Sequence, residues 1–304
     1  MEDAVADAYR KALECSGGNN ADYIPFLAEI PSHLCAVAVA ACDGSVFEAG
    51  DSSYEFAIES ISKVFTLALV TETIGPQAVR AKIGANPTGL PFNSVIALEL
   101  NQGKPMSPLV NAGAISTVSL VAGDSCQDRW AAILDAHSRF AGRELSINEE
   151  LNASEQATNY HNRAITWLLY SSGTIYAEPM ETLDVYTRQC SIMLTTADLA
   201  MMGATLANRG VHPVSGERVV SEKNVRHILA QMMMEGLYIA SGDFAYTVGL
   251  PGKSGVGGGV LAIAPGKLAV AGFSPPLNAA GNSVRGLAAV SHVADALELN
   301  LFAG

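Results

Sequence analysis

Residues 259–273 read GVLAIAPGKLAVAGF: two apolar runs, Gly259 to Ala264 and Leu268 to Phe273, separated by Pro265-Gly266. Short apolar runs bounded by turn residues read as a β-hairpin. Near the other end of the chain, Cys35 to Ala41 and Ser45 to Ala49 flank Asp43-Gly44, the two-residue signature of a hairpin turn that needs positive φ. Between these hairpins, from Ser60 to roughly residue 240, the signals are helical: Val64 to Val70, Trp130 to Leu134, Ala164 to Leu169, Leu199 to Leu206 and Ile228 to Met234 are apolar runs. Gly75, Gly173, Gly210 and Gly236 fall where helices need C-terminal caps, and Ser146 with Glu149 and Asn152 with Glu155 have capping-box spacing. A short helix opens the chain on Val5, Tyr9, Ala12 and Leu13, and Val284 to Leu297 closes it as another. Strands at both ends around a helical block imply an α+β fold, with one antiparallel sheet built from the two chain ends and flanked by helices. The expected organisation is a single domain over 1–304, with a sheet subdomain at 1–59 and 245–304 and a helical middle subdomain at 60–244.

The composition agrees with an enzyme-sized core, since 49% of the 304 residues are hydrophobic and only 16% are charged. Thirty Asp and Glu against 18 Lys and Arg leave a net charge of -12, which repels phosphate backbones and anionic lipid. No nucleic-acid or membrane partner is expected. Five scattered cysteines without a C-x-x-C pair read as reduced thiols. Six histidines without H-E-x-x-H or similar spacing give no metal site. The acidic start, Met1-Glu2-Asp3, and the lack of any apolar stretch of about 18 residues point to the cytoplasm.

The chemistry begins at Ser60-Ile61-Ser62-Lys63, an S-x-x-K string after the β-like run Phe56 to Ile58 and before the helix of Val64 to Val70. With Ser60 at the helix start, one turn brings Lys63 to the same face, within reach of the serine oxygen. A serine hydroxyl becomes a nucleophile when a neighbouring base takes its proton, and a neutral lysine is such a base if burial and the helix N-terminus lower its pKa. On these four residues alone, Ser60 could equally be an ordinary N-cap and Lys63 a solvated first-turn side chain. A second piece, Lys253-Ser254-Gly255, precedes the Val260 to Ala264 strand and resembles the K-T-G element that accompanies S-x-x-K in penicillin-binding proteins and β-lactamases. Glycines 255, 257, 258 and 259 would allow close backbone approach, so that an amide N–H there could share an oxyanion hole with that of Ser60. A P-loop reading of the same stretch is the weaker alternative, because Thr247 stands where the first glycine belongs, Pro251 lies inside the loop and the following residues read as a strand instead of a helix.

Longer strings carry a family resemblance. Phe56 to Phe65 (F-A-I-E-S-I-S-K-V-F), Asn86 to Ser94 (N-P-T-G-L-P-F-N-S), Val110 to Ile115 (V-N-A-G-A-I), Asp184 to Ser191 (D-V-Y-T-R-Q-C-S) and Val248 to Gly259 (V-G-L-P-G-K-S-G-V-G-G-G) resemble, in order, the landmarks of the serine-dependent glutaminases. The match runs from Ala21 to Ser283. It implies a β-lactamase-like fold, Ser60 as acylated nucleophile, Lys63 as its proton acceptor and Tyr238 as a proton relay to departing ammonia. It also implies a substrate pocket of Tyr23, Asn111, Glu155, Asn162 and Tyr186, with the Val256 backbone N–H in the oxyanion hole. Glu155 suits the ammonium of a free amino acid, and the asparagine amides suit its carboxylate. If one helix spans 155–162, Glu155 and Asn162 share a face about 10 Å apart along the axis. Two positions depart from the family pattern: Ser107, where asparagine is usual, and Glu59, where glutamine is usual. Neither touches an expected catalytic role, though Glu59 beside the nucleophile could alter local pKa values.

The expected activity is hydrolysis of L-glutamine to L-glutamate and ammonia through a Ser60 acyl-enzyme, without a cofactor, in a homodimer or homotetramer. Two rivals share the pocket. One is a β-lactamase or peptidoglycan peptidase-like serine hydrolase, and the other is a non-catalytic amino-acid sensor.

Overall fold

The computed structural model describes residues 1–303. Its main sheet has five antiparallel strands: β1 (Ala36–Ala41), β2 (Val46–Gly50), β6 (Gly252–Ser254), β7 (Gly259–Ala264) and β8 (Leu268–Phe273), in the order β2-β1-β8-β7-β6. The two ends of the chain meet where β1 pairs with β8, in a register that sets Val39 opposite Val270. Every residue of β1, β7 and β8 is buried, because both faces of the sheet are covered. Side chains alternate between the faces. Ala38, Ala40, Leu261, Ile263, Ala271 and Phe273 point into the large core shared with the middle helices. Val37, Val39, Val260, Ala262 and Val270 point into a second core beneath the first and last helices, Glu2–Glu14 and Val284–Ala296. The result is a sheet sandwiched between two helical layers, with α+β order along the chain as expected.

The hairpins form where the sequence places them, with a longer first turn. Ala41 N donates to Ser45 O and Gly44 N donates to Ala41 O, so the loop is the three residues Cys42-Asp43-Gly44, not two. Gly44 takes φ 90° and closes a turn whose Asp43 carboxylate accepts from Ser45 N at 2.9 Å. A second, three-stranded sheet joins β3 (Phe56–Ala57), β5 (Ile192–Leu194) and β4 (Ser146–Ile147) in that order. It fastens the segment before Ser60 to the helical middle through the pair Phe56 and Leu194.

Two expected helix starts are corrected. Ser146 belongs to β4, and the following helix, Glu149–Thr158, is capped by Asn148, whose Oδ1 accepts from Leu151 N at 3.0 Å. Asn152 and Glu155 lie inside that helix. Capping boxes occur instead at Ser125 with Asp128 and Thr195 with Asp198. An aspartate at the third position closes the box as well as glutamate does, which a search for Glu alone overlooks. Among the described residues no helix is long and apolar enough to cross a membrane.

The helix Thr196–Ala207 lies across β1, β8 and β7, and Gly203 marks its tightest approach. A Cβ on Gly203 would meet Ala269 Cβ at 2.6 Å and Leu261 Cδ1 at 2.7 Å. Gly203→Ala is therefore expected to destabilise the fold by about 1–3 kcal/mol through overpacking. Urea unfolding checks this, and an unchanged midpoint would show that helix and sheet separate freely.

Candidate active site

Ser60 lies in a single 3-10 turn, Glu59–Ile61, which runs directly into the helix Ser62–Ile74. The sequence reading placed Ser60 at the start of the α-helix itself. The tighter turn is imposed by its anchors, since Ile58 and Ile61 are fully buried, Ile61 N donates to Ile58 O and Ser62 Oγ donates to Glu59 O at 2.6 Å. The helix that follows is buried on nearly every side, so Lys63 in its first turn is only 1% exposed. Burial lowers the Lys63 pKa to about 8, against the opposing pull of Cys190 and the carboxyl groups of Glu59, Glu155 and Glu235. The solvated-lysine alternative is thereby excluded.

The Lys63 amine donates to Asn111 Oδ1 at 2.7 Å, and this bond, not one to Ser60, is the one it makes here. Asn111 opens the helix Asn111–Val118 and is held from three sides. Its backbone N donates to Phe92 O at 2.9 Å, its Oδ1 also accepts from the Tyr186 hydroxyl at 3.3 Å, and its Nδ2 donates to Asn162 Oδ1 at 2.9 Å. Asn162 therefore keeps its own amide N–H groups for a guest, whereas Asn111 has spent one on Asn162.

Glu155 and Asn162 do not share a helix. The helix Glu149–Thr158 breaks at Asn159 (φ -77°, ψ 30°), and a new helix, Tyr160–Ser171, carries Asn162. The break turns both side chains into one cavity of about 330 Å³, lined also by Tyr23, Phe92, Asn93 and Asn111. Tyr23 and Phe92 separate it from a second hollow of about 560 Å³ that reaches Tyr238. Tyr23 is half-exposed and Tyr186 is buried, and burial raises both phenol pKa values.

Tyr238 is 4% exposed and adopts φ 58°, a left-handed conformation costly for a non-glycine residue. Its hydroxyl is buried without a formed hydrogen bond. Burial raises its pKa, and the neighbouring Ser60 hydroxyl offsets part of that rise. The Lys63 nitrogen lies 5.7 Å from the Tyr238 ring centre and 5.9 Å from that of Tyr186.

The glycine-rich turn after β6 completes the site. A Cβ on Gly257 would stand 2.4 Å from Ala57 O, and one on Gly255 would stand 2.8 Å from Ile58 O. These glycines let the turn press against the backbone that leads into Ser60, rather than against a ligand directly. Val256, between them, is buried, and its N–H has no partner among the described residues.

Sequence reasoning understated Glu59. It is 2% exposed, takes φ 49°, and its Oε1 is buried without a partner, as is Glu155 Oε2. Ligand atoms of Glu59, Glu155 and Cys190 all lie within 4.8 Å of one another. Burial and then the Glu155 charge push the Glu59 pKa well up, while burial, opposed by Lys63, pushes Glu155 up to about 8. Burial also raises the Cys190 thiol. A charged residue inside the buried run from Phe56 to Phe65 was the signal that could have marked Glu59.

A family model described as Glutaminase matches residues 18–302. The glutaminase of Mycobacterium ulcerans (strain Agy99) is 65% identical over 302 residues, covering 99% of this chain and 94% of its own. A solved probable glutaminase, ybaS, superposes with a TM-score of 0.98 at 60% identity and covers 100% of this chain and 98% of that one. Mglu in its glutamate form superposes with a TM-score of 0.95 at 35% identity, covering 100% of this chain and 70% of that one.

The amine of Lys63 is expected to lose its proton near pH 8, and Glu59→Gln, which removes an acid that favours the ammonium, to move that midpoint to lower pH. A titration of the lysine ε-carbon signals by NMR reads both. A midpoint unmoved in Glu59→Gln would show that Glu59 does not act on Lys63.

Proposed function

This chain belongs to the glutaminase family, with its β-lactamase-like fold, and from that premise we propose that Ser60, Lys63 and Tyr238 carry out the family's reaction in two acyl-transfer steps. The reaction is hydrolysis of L-glutamine to L-glutamate and ammonia. In the first step Ser60 Oγ attacks the side-chain carboxamide carbon while neutral Lys63 takes the hydroxyl proton, exchanging its bond to Asn111 for one to the serine. The carbonyl oxygen, now an oxyanion, accepts from the N–H groups of Val256 and Ser60. The C–N bond then breaks as the Lys63 ammonium passes its proton through the Tyr238 hydroxyl to the departing nitrogen, giving ammonia, a glutamyl ester of Ser60 and neutral Lys63. In the second step water attacks the ester while Lys63 takes its proton, and glutamate leaves as that proton passes from Lys63 to Ser60 Oγ.

Glu155, with Glu59 behind it, pairs the substrate ammonium, while Asn162 Nδ2 and the Tyr23 hydroxyl donate to its carboxylate. Tyr186 and Asn111 hold the lysine, so their contribution is to position it. A cytoplasmic homodimer or homotetramer is part of the same proposal and rests on the family resemblance.

The observation that carries the mechanism is a lysine amine buried to 1% exposure, its nitrogen 5.7 Å from the ring centre of Tyr238, a tyrosine that neighbours Ser60. The adjoining cavity of about 330 Å³ falls at the small end of ligand sites, about 300–1,000 Å³, as a free amino acid requires.

A coupled ammonia assay tests it. Ser60→Ala and Lys63→Ala are each expected to lower kcat by on the order of 10³-fold or more, and Tyr238→Phe by on the order of 10²-fold. Undiminished ammonia release by Ser60→Ala would overturn the acyl-enzyme. Glutamine binding by the unaltered chain with no ammonia released would instead favour the sensor reading.

A further inference from the structure

The second lysine singled out by the sequence, Lys253, has no place in the mechanism above, yet it is the more unusual of the two. It stands on β6, the edge strand, and is 0% exposed. No carboxylate lies within ion-pair distance of it among the described residues. Burying an ammonium without a counter-ion is costly, and burial followed by the nearby Lys63 drives the Lys253 pKa well down. What it gains are two carbonyl acceptors and a ring. Its Nζ donates to Gly236 O at 2.9 Å and to Ser254 O at 2.6 Å, and it lies 4.1 Å from the centre of the Tyr238 ring.

Those contacts converge on one turn. Gly236 ends the helix Glu222–Glu235, and a Cβ there would stand 1.7 Å from Gly252 O, so the helix end lies directly on β6. Ser254 N also donates to Gly236 O, at 3.3 Å. Two residues later the chain turns left-handed at Tyr238, a conformation that costs about 1–3 kcal/mol and persists only where neighbours enforce it. The opposite side is held as well. Phe92 meets the Tyr238 ring at 4.9 Å, and the loop bearing Phe92 is fixed by Thr88 N donating to the Glu235 carboxylate at 2.6 Å. Lys253 lines neither the 330 Å³ cavity nor the 560 Å³ hollow.

From this geometry we infer that Lys253 is a positioning residue for Tyr238: it ties the Gly236 carbonyl to β6 and closes one face of the tyrosine ring, fixing the hydroxyl against Ser60 without touching substrate. The inference rests on the reading of Tyr238 as proton relay.

Lys253→Met keeps an unbranched side chain as far as the ε position and removes the donor. With L-glutamine as substrate, Lys253→Met is expected to lower kcat by on the order of 10²-fold with KM nearly unchanged, the cost of a small misplacement of a catalytic group. Lys253→Arg should recover part of that loss. The double variant Lys253→Met/Tyr238→Phe should be no slower than Tyr238→Phe alone. A raised KM with unchanged kcat, or losses that add in the double variant, would overturn the inference. If Lys253→Met does not fold, Lys253→Gln, whose shorter side chain withdraws the donor from the Gly236 carbonyl, carries the same comparison. Placement is read independently of catalysis from 3-fluorotyrosine at position 238, whose 19F signal should shift or broaden in Lys253→Met. An unchanged signal overturns the positioning role even if Tyr238 proves catalytic. A fully active Tyr238→Phe would instead sink the relay reading while leaving the 19F result to judge Lys253.

Discussion

A lysine amine removed from water cannot keep its proton at the ordinary cost, and the site is organised around that constraint on Lys63. The first two turns of the helix that carries it are almost entirely buried, so the side chain has nowhere to snorkel. Burial supplies a base near neutral pH, and Asn111, itself held by Tyr186, Asn162 and the Phe92 backbone, supplies the single acceptor that keeps it in place. The neighbouring acids oppose this depression. Burial pushes Glu59 and Glu155 upward as well, and the Glu155 charge adds to the rise at Glu59.

The sheet explains how distant segments meet at Ser60. Pairing of β1 with β8 brings the C-terminal hairpin beside the N-terminal one, and the turn between β6 and β7 is thereby laid on the backbone that enters Ser60. Only glycine on either side of Val256 permits that approach. Of the five non-glycine residues with positive φ, Glu59 and Tyr238 flank the nucleophile from opposite segments. Such strain is stable where packing over-determines it, here through buried isoleucines on one side and through Lys253 and Phe92 on the other. The backbone is thus held in shape before substrate arrives, which spares the reaction the cost of reorganising it.

Much of this was legible locally. The hairpins, the helical middle and the order of the landmark strings are patterns of period and turn chemistry, and they survive translation into three dimensions with small errors. Cys42-Asp43-Gly44 is one residue longer than the Asp-Gly signature suggested, and the capping boxes use aspartate at Ser125 and Thr195. Those errors share a cause, since a local rule admits several solutions of similar energy. The break at Asn159 belongs to the same class: asparagine is a weaker stop signal than glycine, yet the break there is what directs Glu155 and Asn162 into one cavity.

The sequence by itself determined the elements, the serine with its lysine one turn on, and the glycine run that must face a backbone. Tertiary structure alone decided that Lys63 bonds Asn111 and not Ser60, that Glu59 joins Glu155, and that Lys253 grips the turn before Tyr238. The division has a physical reason. Backbone conformation is set by neighbours along the chain, whereas the protonation of a buried group is set by distance through a low-dielectric interior, among residues that the chain brings together only when it closes.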